Sequence, residues 1–269
     1  CGIQCVYRQY KDSDNKITNI RFTTKKMKHL QTILAMVVLT LAISCTKSQT
    51  QGNGQVSFVL SSDIEIADQT KSSVSQFTTL PSSGDFTITI TGASSGYEWT
   101  GKISDWESST MLPVGNYKVT ATYGSLEEEG FDKPYFTGSA DFAVAGAQTT
   151  EVKISVSLGN TVVMVNCTDN FKNYYKDYTF KLTRDGSEIV SFVKGETRAA
   201  FVDGYKFTLQ GVITSETKTQ TFSNDYSSLD EATAYTLMFD APNVGGSSIT
   251  ITFNNNVETI ELGDLELNE

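Results

Sequence analysis

The chain has 269 residues, with 21 Lys/Arg, 31 Asp/Glu, one His and four Cys, for a formal net charge of −10. An acidic surface repels nucleic-acid phosphates and anionic headgroups, so nucleic acid is excluded as a partner and charge cannot hold the chain on a membrane. The solitary His29 excludes Ser-His-Asp and Cys-His catalysis and His-ligated zinc or haem, and neither metal nor cofactor is expected.

Residues 1–26 open on Cys1 rather than Met and read as a non-native upstream extension. Met27 makes a fresh start, flanked by Lys25, Lys26 and Lys28 and followed by an apolar run of eleven residues, 33–43, with a single Thr. A spanning helix needs about 20 apolar residues, so this run is too short to cross and has signal-peptide length. It closes on Ala42-Ile43-Ser44-Cys45. That ending resembles the lipobox of bacterial lipoproteins, which implies cleavage before Cys45, a diacylglyceryl group on its sulfur and an acylated new amino terminus. Residues 27–44 are then the lipoprotein signal peptide. Each buried methylene contributes about 0.8 kcal/mol, so lipid alone holds the chain at the outer membrane.

Cleavage leaves 225 residues with 14 basic and 29 acidic side chains, a net charge of −15 without histidine. Cys45 is taken by lipid, which leaves Cys167 as the one free thiol and no disulfide. Residues 45–54, "CTKSQTQGNG", are polar and glycine-containing and read as a flexible tether.

Strand periodicity follows. "QVSFVL" puts Val56, Phe58 and Leu60 on one face, and "FTITITG" does the same with Phe86, Ile88 and Ile90. "YKVTATYG" alternates Tyr117, Val119, Ala121 and Tyr123 with Lys118, Thr120 and Thr122, and "EVKISVSL" repeats the pattern with Val152, Ile154, Val156 and Leu158. One apolar and one Thr/Ser/Lys face points to antiparallel sheets with a wet side. "TVVMVNC", "YTFKLT", "YKFTLQGV", "YTLMF" and "SITITF" continue as strands, with a hairpin turn at Asp185-Gly186 and another at "NNN" (254–256) before a closing strand over 257–262. Phe171, Tyr174, Tyr175 and Tyr178 follow Thr168-Asp169 at helical spacing and predict one short helix that Tyr174 and Tyr175 pin to the sheet.

"LPVGNYKVTA" (112–121) and "FVDGYKFTL" (201–209) share a glycine turn followed by Tyr-Lys-apolar-Thr. The expected architecture is all-β: two tandem immunoglobulin-like antiparallel β-sandwiches after a lipoprotein signal peptide and a flexible tether. The domains are 55–158 and 159–269, about 110 residues each.

"MLPVGNYKVTATYGS", "DKPYFTGSADFAV", "QTTEVKISVSLGNTVVMVNCTDNFKNYYKDYTFKL" and the closing "GGSSITITFNNNVETIEL" together resemble a family of Bacteroidetes envelope lipoproteins known as domain of unknown function 4493. The resemblance runs from Gln55 to the C-terminus. It implies an envelope lipoprotein without an established activity, and it transfers no catalytic residue. Surface-exposed lipoproteins of this phylum often carry acids just after the lipidated cysteine. Here the first carboxylate is Asp63, which leans towards the periplasmic face of the outer membrane.

"GYEWTGKISDW" (96–106) gathers Tyr97, Trp99 and Trp106 beside Glu98 and Asp105. Aromatic faces next to carboxylates suit a sugar, but the first expectation for Trp99 and Trp106 is a place in the sandwich core. Glu127, Glu128 and Glu129 with Asp132 read as a solvated loop rather than a calcium site, as do "NDYSSLDE" (224–231) and "SDIEIAD" (62–68). Cys167 shares a face with Val163 and Val165 and reads as a small buried apolar group. The functional expectation is a non-catalytic binding or structural role in the cell envelope, with a glycan or an envelope protein as partner. The alternatives are a glycan-binding lipoprotein using Trp99 and Trp106, and then a carboxylate-dependent glycoside hydrolase.

Overall fold

The computed structural model describes residues 52–61, 73–241, 248–253 and 256–264. The signal peptide, Cys45 and "SDIEIAD" lie outside these residues. Among the described residues no helix is long and apolar enough to cross a membrane.

Eight strands come first: β1 (Asn53–Ser61), β2 (Thr87–Gly92), β3 (Glu98–Lys102), β4 (Met111–Pro113), β5 (Gly115–Tyr123), β6 (Gly130–Phe131), β7 (Phe136–Val144) and β8 (Thr149–Leu158). Strand β1 begins at Asn53 and so takes in the last two residues expected in the tether. Seven of the eight form one sheet in the order β3-β2-β5-β7-β8-β1-β4. The alternation holds: Ile88, Ile90, Tyr117, Val119, Ala121, Val152, Ile154, Val156 and Leu158 are buried in one core, and the intervening Thr, Ser and Lys face outward. Each such aliphatic contributes about 1.5–3 kcal/mol when fully removed from water.

Ten strands follow: β9 (Thr161–Cys167), β10 (Asp177–Arg184), β11 (Ser187–Val193), β12 (Ala200–Val202), β13 (Lys206–Thr214), β14 (Thr219–Ser227), β15 (Ala234–Asp240), β16 (Ser248–Phe253), β17 (Asn256–Glu261) and β18 (Gly263–Asp264). Together with β6 from the first group they build a five-stranded sheet, β11-β10-β13-β14-β18, and a six-stranded sheet, β17-β16-β15-β9-β12-β6. Asp185 and Gly186 both adopt positive φ, 48° and 82°, and close the β10–β11 hairpin as a mirror-image turn suited to the strand twist.

Helix α1 (Asp169–Tyr174) joins β9 to β10, and its N-cap Thr168 accepts from the Phe171 N–H at 3.2 Å. It ends before Tyr178, which lies in β10, so the fourth member of the helical pattern is a strand residue. Six residues are too few to hold a helix alone. Tertiary contacts anchor it: Phe171 and Tyr175 are buried, and Thr168 donates to Asp240 at the end of β15.

Two pairs are parallel where alternation alone pointed to antiparallel sheets. Residues 55–61 of β1 run beside 149–155 of β8, and residues 162–167 of β9 run beside 234–239 of β15. Side-chain alternation identifies a strand face and is silent on direction.

The two halves repeat one pairing scheme. In the first, β1 lies between β4 and β8, β2 between β3 and β5, and β5 pairs with β7. In the second, β9 lies between β12 and β15, β10 between β11 and β13, and β13 pairs with β14. The echoed glycine turns fall at the equivalent junctions β4–β5 and β12–β13. They differ at the shared tyrosine, since Tyr117 is buried and Tyr205 is 78% exposed.

Two cores result, and β9 and β12 contribute to both. Val163, Cys167, Ala200 and Val202 face the second core, while Val162 and Phe201 face the first. The uninterrupted apolar run in "TVVMV" is the composition expected of a strand covered on both faces.

Candidate functional site

Trp99 stands on β3, which ends the seven-stranded sheet among the described strands, and Trp106 follows the short turn 103–105. Both are half-buried against the first core. Their ring centroids lie 5.0 Å apart at 75°, so the two indoles form a corner. The Trp106 Nε1–H donates to the Val56 carbonyl at 2.9 Å, which ties the second indole to β1. Trp99 folds back along its own strand over Gly101, where an added Cβ would lie 2.9 Å from the ring. Tyr97 stacks edge-on against Tyr117 at 6.1 Å, and burial raises its hydroxyl pKa, with Tyr117 adding to the shift. The aromatic series continues from Tyr117 to Phe142 (5.4 Å), Phe58 (5.9 Å) and back to Trp106 (5.4 Å). The fold thus joins the three sequence-selected aromatics in one network that is part core and part surface. Glu98 and Asp105 alongside are exposed.

The glutamate run divides. Glu127 and Glu128 are exposed, and Glu128 pairs with Lys133 at 2.9 Å, which lowers its carboxyl pKa. Glu129 does not belong to a solvated loop. It ion-pairs with Arg184 of β10 and accepts the Asp203 N–H at 2.6 Å. Likewise 224–227 of "NDYSSLDE" is the end of β14, with Tyr226 buried. Cys167 is buried, and its thiol pKa is pushed up to about 11, mainly by desolvation.

A carboxylate hydrolase requires one acid held protonated near neutrality. The described carboxylates with shifted acidity, Glu128 and Glu196, both move downward. Glu196 falls to about 2 because Arg198 hydrogen-bonds to it through side chain and backbone. No cluster of three or more His, Cys, Asp or Glu suited to a metal occurs among the described residues.

An all-β chain with two cores and an aromatic network opening onto a sheet edge defines the class of molecule. The chain belongs to the family of the domain of unknown function DUF4493, whose model matches residues 52–264. No curated protein matches its sequence. Among solved structures, a fimbrial assembly protein from Parabacteroides distasonis is similar at TM-score 0.46 and 7% identity, covering 77% of this chain and 98% of that one. A proposed cell adhesion protein from Bacteroides eggerthii aligns at TM-score 0.41 and 9% identity, covering 80% and 97%. Proposed polysaccharide-binding proteins from Bacteroides thetaiotaomicron align at TM-score 0.40 and 10% identity, covering 78% and 99%.

Proposed function

We propose that this chain is a lipid-anchored, non-catalytic protein of the outer membrane, with a binding or structural role towards an envelope protein or a glycan. Lipid on Cys45 is its membrane attachment, and the tether after it leans towards the periplasmic face. The folded part divides near Leu158-Gly159 into two sandwich domains.

The observation that carries the binding reading is a pair of sheet-end strands at equivalent positions in the two halves, with β3 the more open because β6 packs beside β11. Strand β3 ends the seven-stranded sheet and β11 ends the five-stranded one, each with a single neighbour among the described strands. A free strand edge presents a row of main-chain donors and acceptors, and strand addition by a partner uses this surface. Protease shaving of intact cells, with immunoblotting beside a periplasmic control, tests the placement. Palmitate labelling of the wild type and of Cys45→Ser tests the anchor. Label in the wild type alone supports the reading, and an unlabelled wild type removes it.

A second reading is favoured by the Trp99–Trp106 corner. Two half-buried indoles at 75°, with Tyr97 in the same network and Glu98 and Asp105 exposed nearby, offer a stacking face and hydroxyl acceptors for a glycan.

A further inference from the structure

Strands β2, β5 and β7 end side by side beneath a shallow trough of about 530 Å³, within the range of small-ligand sites. Register builds its walls. Thr91 pairs with Lys118 and Lys118 with Asp141, so these three side chains form one row across the outer face. Asn116 pairs with Ala143 in the next outward row, and Ala93 extends that row by donating its N–H to the Asn116 carbonyl at 2.9 Å. Thr91, Asn116, Lys118 and Asp141 are all exposed. Lys118 and Asp141 stand opposite each other, and among the described residues neither takes part in an ion pair.

The chemistry of this lining selects its ligand. One ammonium and one carboxylate cancel, so an anionic ligand meets Asp141 and a cationic one meets Lys118. Strands β2, β5 and β7 each have neighbours on both sides, so the trough cannot accept an added strand. What it offers is an ammonium, an amide, a hydroxyl and a carboxylate over the methyl groups of Ala93 and Ala143. Alternating donors and acceptors around a small apolar floor complement a pyranose, whose hydroxyls both donate and accept and whose C–H face is apolar.

We propose that this trough binds a neutral saccharide through Thr91, Asn116, Lys118 and Asp141. The proposal rests on the reading of the chain as a binding protein and names the ligand class of one site. It uses none of Tyr97, Trp99 or Trp106, although Tyr97 packs on Tyr117 in the row beneath.

The test titrates the full chain with neutral gluco-, manno-, xylo- and galacto-oligosaccharides and with two acidic polymers, polygalacturonate and heparin, following backbone amide shifts. At least one neutral oligosaccharide should saturably shift the amides of Asn116, Lys118 and Asp141. Asp141→Ala and Lys118→Ala should each weaken it by about tenfold or more, since a charged hydrogen-bond partner is lost. Both side chains are exposed, so unchanged melting will show that the variants fold. Absence of binding by every neutral saccharide, preference for the acidic polymers, or binding that both variants leave intact would overturn the proposal. Binding lost only in Trp99→Ala or Trp106→Ala would also overturn it, by moving the sugar to the indole corner. A palmitate-labelled chain that captures an envelope protein and ignores every saccharide removes the trough and leaves the proposed function standing.

Discussion

Glu129 and Arg184 meet across the junction of the two cores, with only 12% and 26% of their side chains exposed. The ion pair is one part of a larger clamp. Glu129 also accepts the Asp203 N–H, and Arg184 donates to the carbonyls of Asp203 at 2.8 Å and Lys206 at 2.9 Å. Next to it, β6 adds to β12, and Phe131 meets the Phe192 ring edge-on at 5.2 Å. The loop between β5 and β7 therefore leaves the first core to become an edge of the second half's sheet.

Removing one partner of so enclosed a pair strands the other, and that penalty exceeds the value of the pair itself. Glu129→Gln should cost about 2 kcal/mol, and Arg184→Met a similar amount. The double variant should fall short of their sum in a mutant cycle read by urea unfolding. Independent, additive effects would show that the clamp is not a unit.

The same junction carries a pH dependence. Glu196 is held at about 2 by Arg198, whose guanidinium also lies 4.2 Å over the Phe131 ring and 3.4 Å from Asp132. A carboxyl whose folded pKa lies below its ordinary 4.5 stabilises the fold fully above that value and loses the contribution as pH falls towards about 2. Melting midpoints should therefore drop over this window in the wild type. The drop should be shallower in Glu196→Gln, and equal slopes would count against the pair.

Much of the fold was legible because its strands have one wet face. Thr87, Thr89 and Thr91 betray the dry side of β2, and the same contrast exposes β5, β8, β10 and β13. Strand β14 was hidden because its buried side includes Gln220 as well as Phe222 and Tyr226. Strand β7 interrupts an inner face of Phe136, Phe142 and Val144 with Gly138 and Ala140, which blurs its alternation, and β4, β6, β12 and β18 exist only through their partners. Of the sites, the aromatic stretch 97–106 was visible as composition. The trough was not, because Thr91, Lys118 and Asp141 are separated in sequence and aligned by register alone. Glu129 is indistinguishable in sequence from its two solvated neighbours, and only Arg184, 55 residues later, sets it apart.

Glycine is required at Gly211 for a packing reason. The Phe222 ring lies across it from the neighbouring strand, in the space a Cβ would take. Phe222 in turn packs against Phe180 and Phe239, so it has little room to retreat. Gly211→Ala should destabilise the second core by about 1–3 kcal/mol as an overpacking change. Additional loss from Phe222→Leu in the Gly211→Ala background should be small, because the ring is already displaced. A neutral Gly211→Ala would mean that the ring has free volume on its other side.

The indole corner separates core from site by measurement. Trp106 is tied to Val56 and packs on Phe58, so Trp106→Ala should lower stability by about 3 kcal/mol. Trp99 lies at the sheet edge with one side over Gly101, and its loss should cost about 1–2 kcal/mol. Gly101→Ala leaves both indoles in the chain and pushes Trp99 off its strand. If the corner is a glycan platform, Gly101→Ala weakens saccharide binding while thermal melting barely moves. If the corner only covers the core, Gly101→Ala lowers the melting midpoint, and no saccharide distinguishes it from the wild type.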